Sequence, residues 1–216
     1  MTYKQRFIKF MVENEVLCFG DFTLKSGRKA PYFINAGKYR TGSQIAQLGE
    51  YYAECYLEHK VNAKTLVGTA YKGIPLAVAT AAALATNHGV DVGFCFDRKE
   101  VKDHGEGGLF VGQALNNGDK IAIIEDVMTS GKALREILPK IKQEADVKVE
   151  AMIISVDRQE KGTGEKSAVQ EAYDEFGIHV YSIVTMEDII LAIEEDIIPG
   201  KEYLQAMKDY RKQYGA

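Results

Sequence analysis

The sequence predicts an α/β fold: a mostly parallel central sheet flanked by helices, with a small N-terminal hood. Three observations predict it. Short apolar runs such as Thr65 to Gly68 and Lys120 to Ile124 suit strands buried on both faces. Each is followed by a glycine-bearing loop and then by helical periodicity, and recurrence of this unit argues for right-handed crossovers between parallel strands. No Pro/Gly/Ser-rich linker divides the 216 residues, so one domain over residues 1–216 is expected, with residues 1–40 contributing the hood.

Phe7, Ile8, Met11 and Val12 recur at helical spacing, which predicts a first helix over Tyr3 to Val12. Val16 to Leu24 gives way to Ser26-Gly27-Arg28-Lys29, and Pro31 to Ile34 reads as a short extended piece bounded by Gly37. Ser43 is a good N-cap for a helix to about Glu58. After the strand at Thr65 to Gly68, Pro75 opens an Ala-rich helix to about Thr86. Further strands are expected over Asp91 to Phe96, Lys120 to Ile124, Val147 to Val156 and Val180 to Val184. Helices should reach about Glu144, lie near Lys166 to Phe176, and close the chain over Met186 to Glu195 and Lys201 to Tyr214. Ligands of such sheets bind at the carboxyl ends of strands, which is where the unusual loops fall.

Composition excludes several classes. Hydrophobic residues at 46% and charged ones at 27% match an ordinary globular protein rather than a disordered chain. A formal net charge of −4 gives no reason to expect nucleic-acid binding, so any anion site must be local. Cys18, Cys55 and Cys95 are odd in number and lack C-x-x-C spacing, which speaks against a disulfide framework or a zinc site and suits buried thiols in a reducing compartment. Met1 to Phe10 does not read as a signal peptide, and the apolar stretch around Leu76 to Ala85 is about half of the ~20 residues needed to cross a bilayer. No membrane association and a cytoplasmic location are expected.

Residues 121 to 133 read I-A-I-I-E-D-V-M-T-S-G-K-A. Glu125 and Asp126 end an apolar strand, where two carboxylates can accept hydrogen bonds from the vicinal hydroxyls of a ribose; a Walker-B-like magnesium site and a plain polar turn are the competing readings. Thr129, Ser130 and Gly131 shift the balance, because hydroxyls and backbone N–H groups at a helix start can wrap a monophosphate. The run resembles the phosphoribosyl-diphosphate (PRPP) motif of type I phosphoribosyltransferases. There is no G-x-x-x-x-G-K-[ST] and no G-x-G-x-x-G following a strand, which disfavours P-loop and dinucleotide-binding folds. Lys132 departs from the pattern, standing where many members place a hydroxyl residue.

Other segments extend the resemblance over nearly the whole chain. Gly68-Thr69-Ala70-Tyr71-Lys72-Gly73 resembles the pyrophosphate loop of these enzymes, in which the peptide equivalent to Ala70-Tyr71 is cis; alone it would read as a plain Gly turn. Asp97 to Gly108, D-R-K-E-V-K-D-H-G-E-G-G, resembles the mobile catalytic loop of the orotate phosphoribosyltransferase family, though a charge cluster of this kind is ordinarily a solvated hairpin. F-T-L-K-S-G-R-K-A-P-Y-F-I-N from Phe22 to Asn35 is similar to the N-terminal signature of that family, with Ile34 where many relatives have a second aromatic residue. Ser155 to Glu160 resembles its S-x-D-R-Q-E segment.

The resemblance implies a type I phosphoribosyltransferase-like fold and a Mg²⁺-dependent pentosyltransferase that converts orotate and PRPP to orotidine 5′-monophosphate and diphosphate. It assigns Glu125 and Asp126 to the ribose, and the loop of Val127, Met128, Thr129, Ser130, Gly131, Lys132 and Ala133 to the 5-phosphate. Tyr71 and Lys72 take the diphosphate, with Lys25 reaching both it and the base. The backbone of Phe33 and Ile34, with Thr129, lines the orotate pocket, and Arg158 pairs with the carboxylate of orotate. The lid residues Arg98, Lys99, Lys102 and His104 neutralise the leaving group, and Lys102, His104, Arg98, Lys99 and Asp126 make up the catalytic set. Mg²⁺ is held mainly through substrate oxygens and water rather than by direct protein ligands. A homodimer sharing its lid across subunits is implied.

Two alternatives use the same loops: a phosphoribosyltransferase for another base, which would have no obvious reason to keep the R-K-E-x-K-D-H-G-E-G-G lid, and a PRPP-sensing regulator, which should carry a basic DNA-binding surface. His59, His88 and His179 receive no chemistry, and the Tyr51, Tyr52 and Tyr56 cluster reads as a packing face, with a subunit interface as its possible setting.

Overall fold

The structure, a computed structural model, describes residues 1–24, 27–98, 108–162 and 164–216. In chain order the elements are α1 (Tyr3–Glu13), β1 (Leu17–Thr23), β2 (Lys29–Ile34), α2 (Gly42–Glu58), β3 (Thr65–Gly68), α3 (Gly73–His88), β4 (Gly93–Asp97), β5 (Phe110–Gly112) and β6 (Lys120–Ile124). They continue with α4 (Lys132–Glu144), β7 (Lys148–Asp157), α5 (Ala168–Phe176), β8 (Val180–Thr185), α6 (Met186–Glu194) and α7 (Leu204–Tyr214). The main sheet has the order β5-β4-β3-β6-β7-β8, parallel throughout except that β5 runs antiparallel to β4.

Successive side chains on a strand point to opposite faces, and the two cores divide accordingly. Leu66, Ala122, Ile124, Ala151 and Ile153 join one core with residues of α1, α2, α3 and α6. Val67, Ile121, Ile123, Met152 and Ile154 join the other with residues of α4 and α5. Helices therefore cover both faces, which is why the β3 and β6 runs are continuous in apolar residues rather than alternating.

The N-terminal segment splits in two. The helix α1 packs against α6 and β8 and buries Phe7, Ile8, Phe10 and Met11 in the main core. The hairpin β1–β2 is a separate two-stranded sheet, with β2 against α7, where Tyr32 meets Tyr210 edge-on at 5.8 Å between ring centroids.

Several expectations are corrected. The helix α2 is capped not by Ser43 but by Thr41, whose hydroxyl accepts from the Gln44 N–H while the Gln44 side chain accepts from the Thr41 N–H, a complete capping box. The helix α3 opens at Gly73, two residues before Pro75, whose missing N–H costs nothing in a first turn. The edge strand β5 was not expected, because three residues carry too little periodicity. The tyrosine cluster is split: Tyr52 and Tyr56 are buried inside this chain, while Tyr51 is partly buried against Phe7. Cys55 and Cys95 are buried free thiols, whereas Cys18 is only half-buried.

Candidate active site

Because β3, β6 and β7 are adjacent and parallel, their carboxyl ends bring three loops side by side, residues 69–72, 125–131 and 158–162. The first closes tightly. Thr69 N–H donates to the Ile124 carbonyl at 3.3 Å, and a Cβ on Gly73 would stand 2.4 Å from that same oxygen, so only glycine fits. The Ala70-Tyr71 peptide is cis, as the resemblance implied.

At the end of β6, Glu125 is held from every side. Its N–H donates to Ile153 O at 3.1 Å, and its carbonyl accepts from the buried Tyr52 hydroxyl at 2.7 Å. Its carboxylate accepts from the Thr69 hydroxyl and, at 2.8 Å, from the Asp126 N–H. Burial dominates those donors and pushes the Glu125 carboxyl up to about 7. A carboxyl raised in the folded state binds its proton more tightly there than in the unfolded chain, so stability is lost as pH rises from the ordinary range near 4.5 through about 7. Unfolding free energies of the native protein and Glu125→Gln should therefore diverge in favour of the variant between pH 5 and 8, by at most roughly 3 kcal/mol at 1.36 kcal/mol per unit. Parallel curves in denaturant titrations would contradict this.

Asp126 lies beside it, also buried. Its carbonyl accepts from Ser155 N–H at 2.9 Å and Ser155 Oγ at 2.6 Å, while its carboxylate takes the Val127 N–H at 2.8 Å and the Lys72 ammonium at 2.7 Å. Lys72 thus reaches across from the first loop to the acid pair. Beyond it, Gly131 adopts φ +66°, and α4 starts with no side-chain cap, which leaves the first-turn amides open to an anion. Lys132 opens that helix and pairs with Glu136 at 3.6 Å on its exposed surface. A cleft of about 440 Å³ is lined by Ala70, Tyr71, Lys72, Glu125, Asp126 and the whole stretch from Val127 to Ala133. The residues expected to hold PRPP on these two loops therefore do converge.

A larger adjoining cleft, about 990 Å³, shares Met128, Thr129, Ser130 and Lys132 with the first and adds Arg158 and Arg28. Arg158 lies 3.1 Å from Glu160, a buried carboxylate that also accepts from the Tyr32 hydroxyl at 2.5 Å and faces Arg28 at 3.6 Å. Burial, followed by the charge of Glu160, holds the Tyr32 phenol far above its ordinary range, so it stays a donor. Asp157, next to Arg158, is raised by burial. Phe33 is exposed, packed on Phe22 at 5.5 Å between ring centroids, and Ile34 rests on the main core; among the described residues neither lines these clefts. Arg98 is half-buried at the end of β4, its N–H on Leu109 O at 2.8 Å. Lys25, Lys99, Lys102 and His104 lie outside the described residues. No group of three or more His, Cys, Asp or Glu among the described residues could hold a metal ion.

Reading the sequence missed Thr69, Tyr52 and Glu160, which orient the acids and Arg158. Thr69 and Glu160 sit inside the motifs, which is the one signal that could have flagged them; Tyr52 has no local signal at all. His59, given no chemistry, caps the C-terminus of α2 and stacks on Tyr181 at 3.9 Å between ring centroids.

Comparison with known proteins bears on the same loops. Residues 37–183 match the model of the phosphoribosyl transferase domain. An orotate phosphoribosyltransferase of Clostridium botulinum is 48% identical over 221 residues, covering 100% of this chain and 99% of that protein. One from Pseudomonas fluorescens is 49% identical over 215 residues, covering 99% of each. The crystal structure of orotate phosphoribosyltransferase from Francisella tularensis superposes with a TM-score of 0.88 at 39% identity, covering 98% of this chain and 100% of that one. An adenine phosphoribosyltransferase of Leishmania donovani, at 11% identity and TM-score 0.53, shares the fold alone. Similarity of this extent, running from end to end and through all three loops, makes the chain a member of the phosphoribosyltransferase family, in its orotate phosphoribosyltransferase branch.

Proposed function

We propose that this protein transfers the ribosyl 5-phosphate group of PRPP to orotate, giving orotidine 5′-monophosphate and diphosphate in pyrimidine synthesis. The observation that carries it is the convergence of the acid pair, the Thr129 to Ala133 helix start and Lys72 on one cleft, with Arg158 flanking Thr129 in the next. The nucleophile is orotate itself, so the protein's contribution reduces to positioning and electrostatics.

PRPP lies across the carboxyl ends of β3 and β6. Its 5-phosphate takes the open amides of α4 and the hydroxyls of Thr129 and Ser130, and its ribose hydroxyls donate to Glu125 and Asp126. Lys72 then exchanges part of its contact with Asp126 for the diphosphate, with Tyr71 beside it. As the bond from C1 to the diphosphate oxygen breaks, positive charge on the sugar faces the two carboxylates while the leaving group's charge faces Lys72. Mg²⁺, when bound, neutralises the diphosphate. The donor set fits a metal held chiefly by substrate oxygens and water: both acids already engage protein donors, leaving only spare lone pairs. Arg98, Lys99, Lys102 and His104 close over the diphosphate and exclude water.

Orotate enters beside Thr129, with its carboxylate on Arg158. A homodimer that shares the lid between subunits, in the cytoplasm, completes the reading. Among the described residues no helix is long and apolar enough to cross a membrane. Mixing protein, Mg²⁺, PRPP and orotate and following orotate absorbance tests the whole: turnover is expected with orotate and absent with adenine or uracil. Turnover of another base in preference to orotate would overturn it.

A further inference from the structure

We propose that Asp97, braced by Lys140, is a positioning residue that locks the pyrophosphate loop to the helix bearing the phosphate site. Asp97 is the last residue of β4, the strand beside β3, and its side chain is only 8% exposed. One carboxylate oxygen accepts the Ala70 N–H at 3.0 Å, and the other takes the Lys140 ammonium. Ala70 immediately precedes Tyr71 and Lys72, and Lys140 sits in the third turn of α4, whose first residues line the same cleft.

A buried carboxylate is costly unless its oxygens are engaged, and here each has a partner from a different wall of the cleft. Thr69 and Ala70 thereby have both amides committed to the protein frame, to Ile124 O and to Asp97. Lys72 is carried two residues further on, so its ammonium is placed by an anchored segment. Asp97 touches no substrate in this scheme and acts through Ala70. Loss of the anchor would let the loop shift on a scale that is expensive for a group aligned with a leaving diphosphate.

The inference rests on reading residues 69–72 as the diphosphate loop, so Lys72→Ala is measured beside the anchor variants. Steady-state kinetics are taken with PRPP and orotate varied separately. Asp97→Ala should raise KM for PRPP at least about 10-fold while KM for orotate stays within about 2-fold, since displacement of a loop by an ångström can cost as much as 10²-fold. Asp97→Asn can keep its amide oxygen on Ala70 but turns its NH2 toward Lys140, so it should recover the loss only to the level of Lys140→Met, which removes the same brace and should raise KM for PRPP by about 3-fold. An Asp97→Ala protein with unchanged KM for PRPP, equal rises for both substrates, or an Asp97→Asn variant as impaired as Asp97→Ala overturns the positioning role. Should Asp97→Ala fail to fold, an unchanged KM in Lys140→Met, a substitution on a partly exposed side chain, overturns it too. If Lys72→Ala leaves KM for PRPP unchanged, the loop reading itself falls; if only Lys72→Ala has an effect, the reading stands and the anchor does not.

Discussion

Asp126→Asn lowers kcat/KM for PRPP by roughly 10²- to 10³-fold, the range seen when one electrostatic contact to a developing charge is removed. The fold should survive, because what ties Asp126 to β7 is its main-chain carbonyl, held by Ser155 N–H and Oγ. An asparagine keeps an oxygen for the Val127 N–H but removes the charge and puts an NH2 where the second oxygen accepted the Lys72 ammonium. That charge serves two partners in the scheme, Lys72 now at 2.7 Å and the ribose in the complex. Removing it also frees Lys72, so KM and kcat should both suffer. Steady-state kinetics together with the thermal midpoint check this; a loss below about 10-fold with an intact fold would remove Asp126 from the ribose site.

Arg158→Leu raises KM for orotate by roughly 10- to 100-fold and leaves KM for PRPP within about 3-fold, in line with the loss of a charge-assisted bidentate contact. The neighbouring loop keeps its shape, because Glu160 retains the Tyr32 hydroxyl and Arg28 when Arg158 is gone. The two clefts meet at Thr129 and Ser130, so the selectivity of the effect is informative: a substitution that merely loosened the shared loop would weaken both substrates. Equal losses for orotate and PRPP would argue against recognition of the carboxylate.

Legibility varied with how local the physics is. Runs such as Ile121 to Ile124, buried on both faces, and amphipathic stretches such as Lys132 to Glu144 announce themselves through periodicity, and their observed bounds agree with expectation. Ser43 was misread because Thr41 and Ser43 are both competent caps, and only the reciprocal bond with Gln44 decides between them. The acid pair and the Thr129-Ser130-Gly131 turn were legible because hydroxyls, glycine and carboxylates at a strand end form one contiguous motif. Thr69 on Glu125, Tyr52 on the Glu125 carbonyl and Lys140 on Asp97 join residues 56, 73 and 43 positions apart.

Order along the chain thus determined the alternation of strand and helix, the loops that carry the chemistry and the family to which they belong. Each follows from short-range stereochemistry or from contiguous motifs. What only tertiary packing decided is how those loops are aimed. Parallel adjacency of β3, β6 and β7 sets Lys72 against Asp126, and Glu125 titrates near 7 because packing from several elements removes its water. Such effects arise from desolvation and from contacts between distant segments, and no stretch of sequence contains both partners.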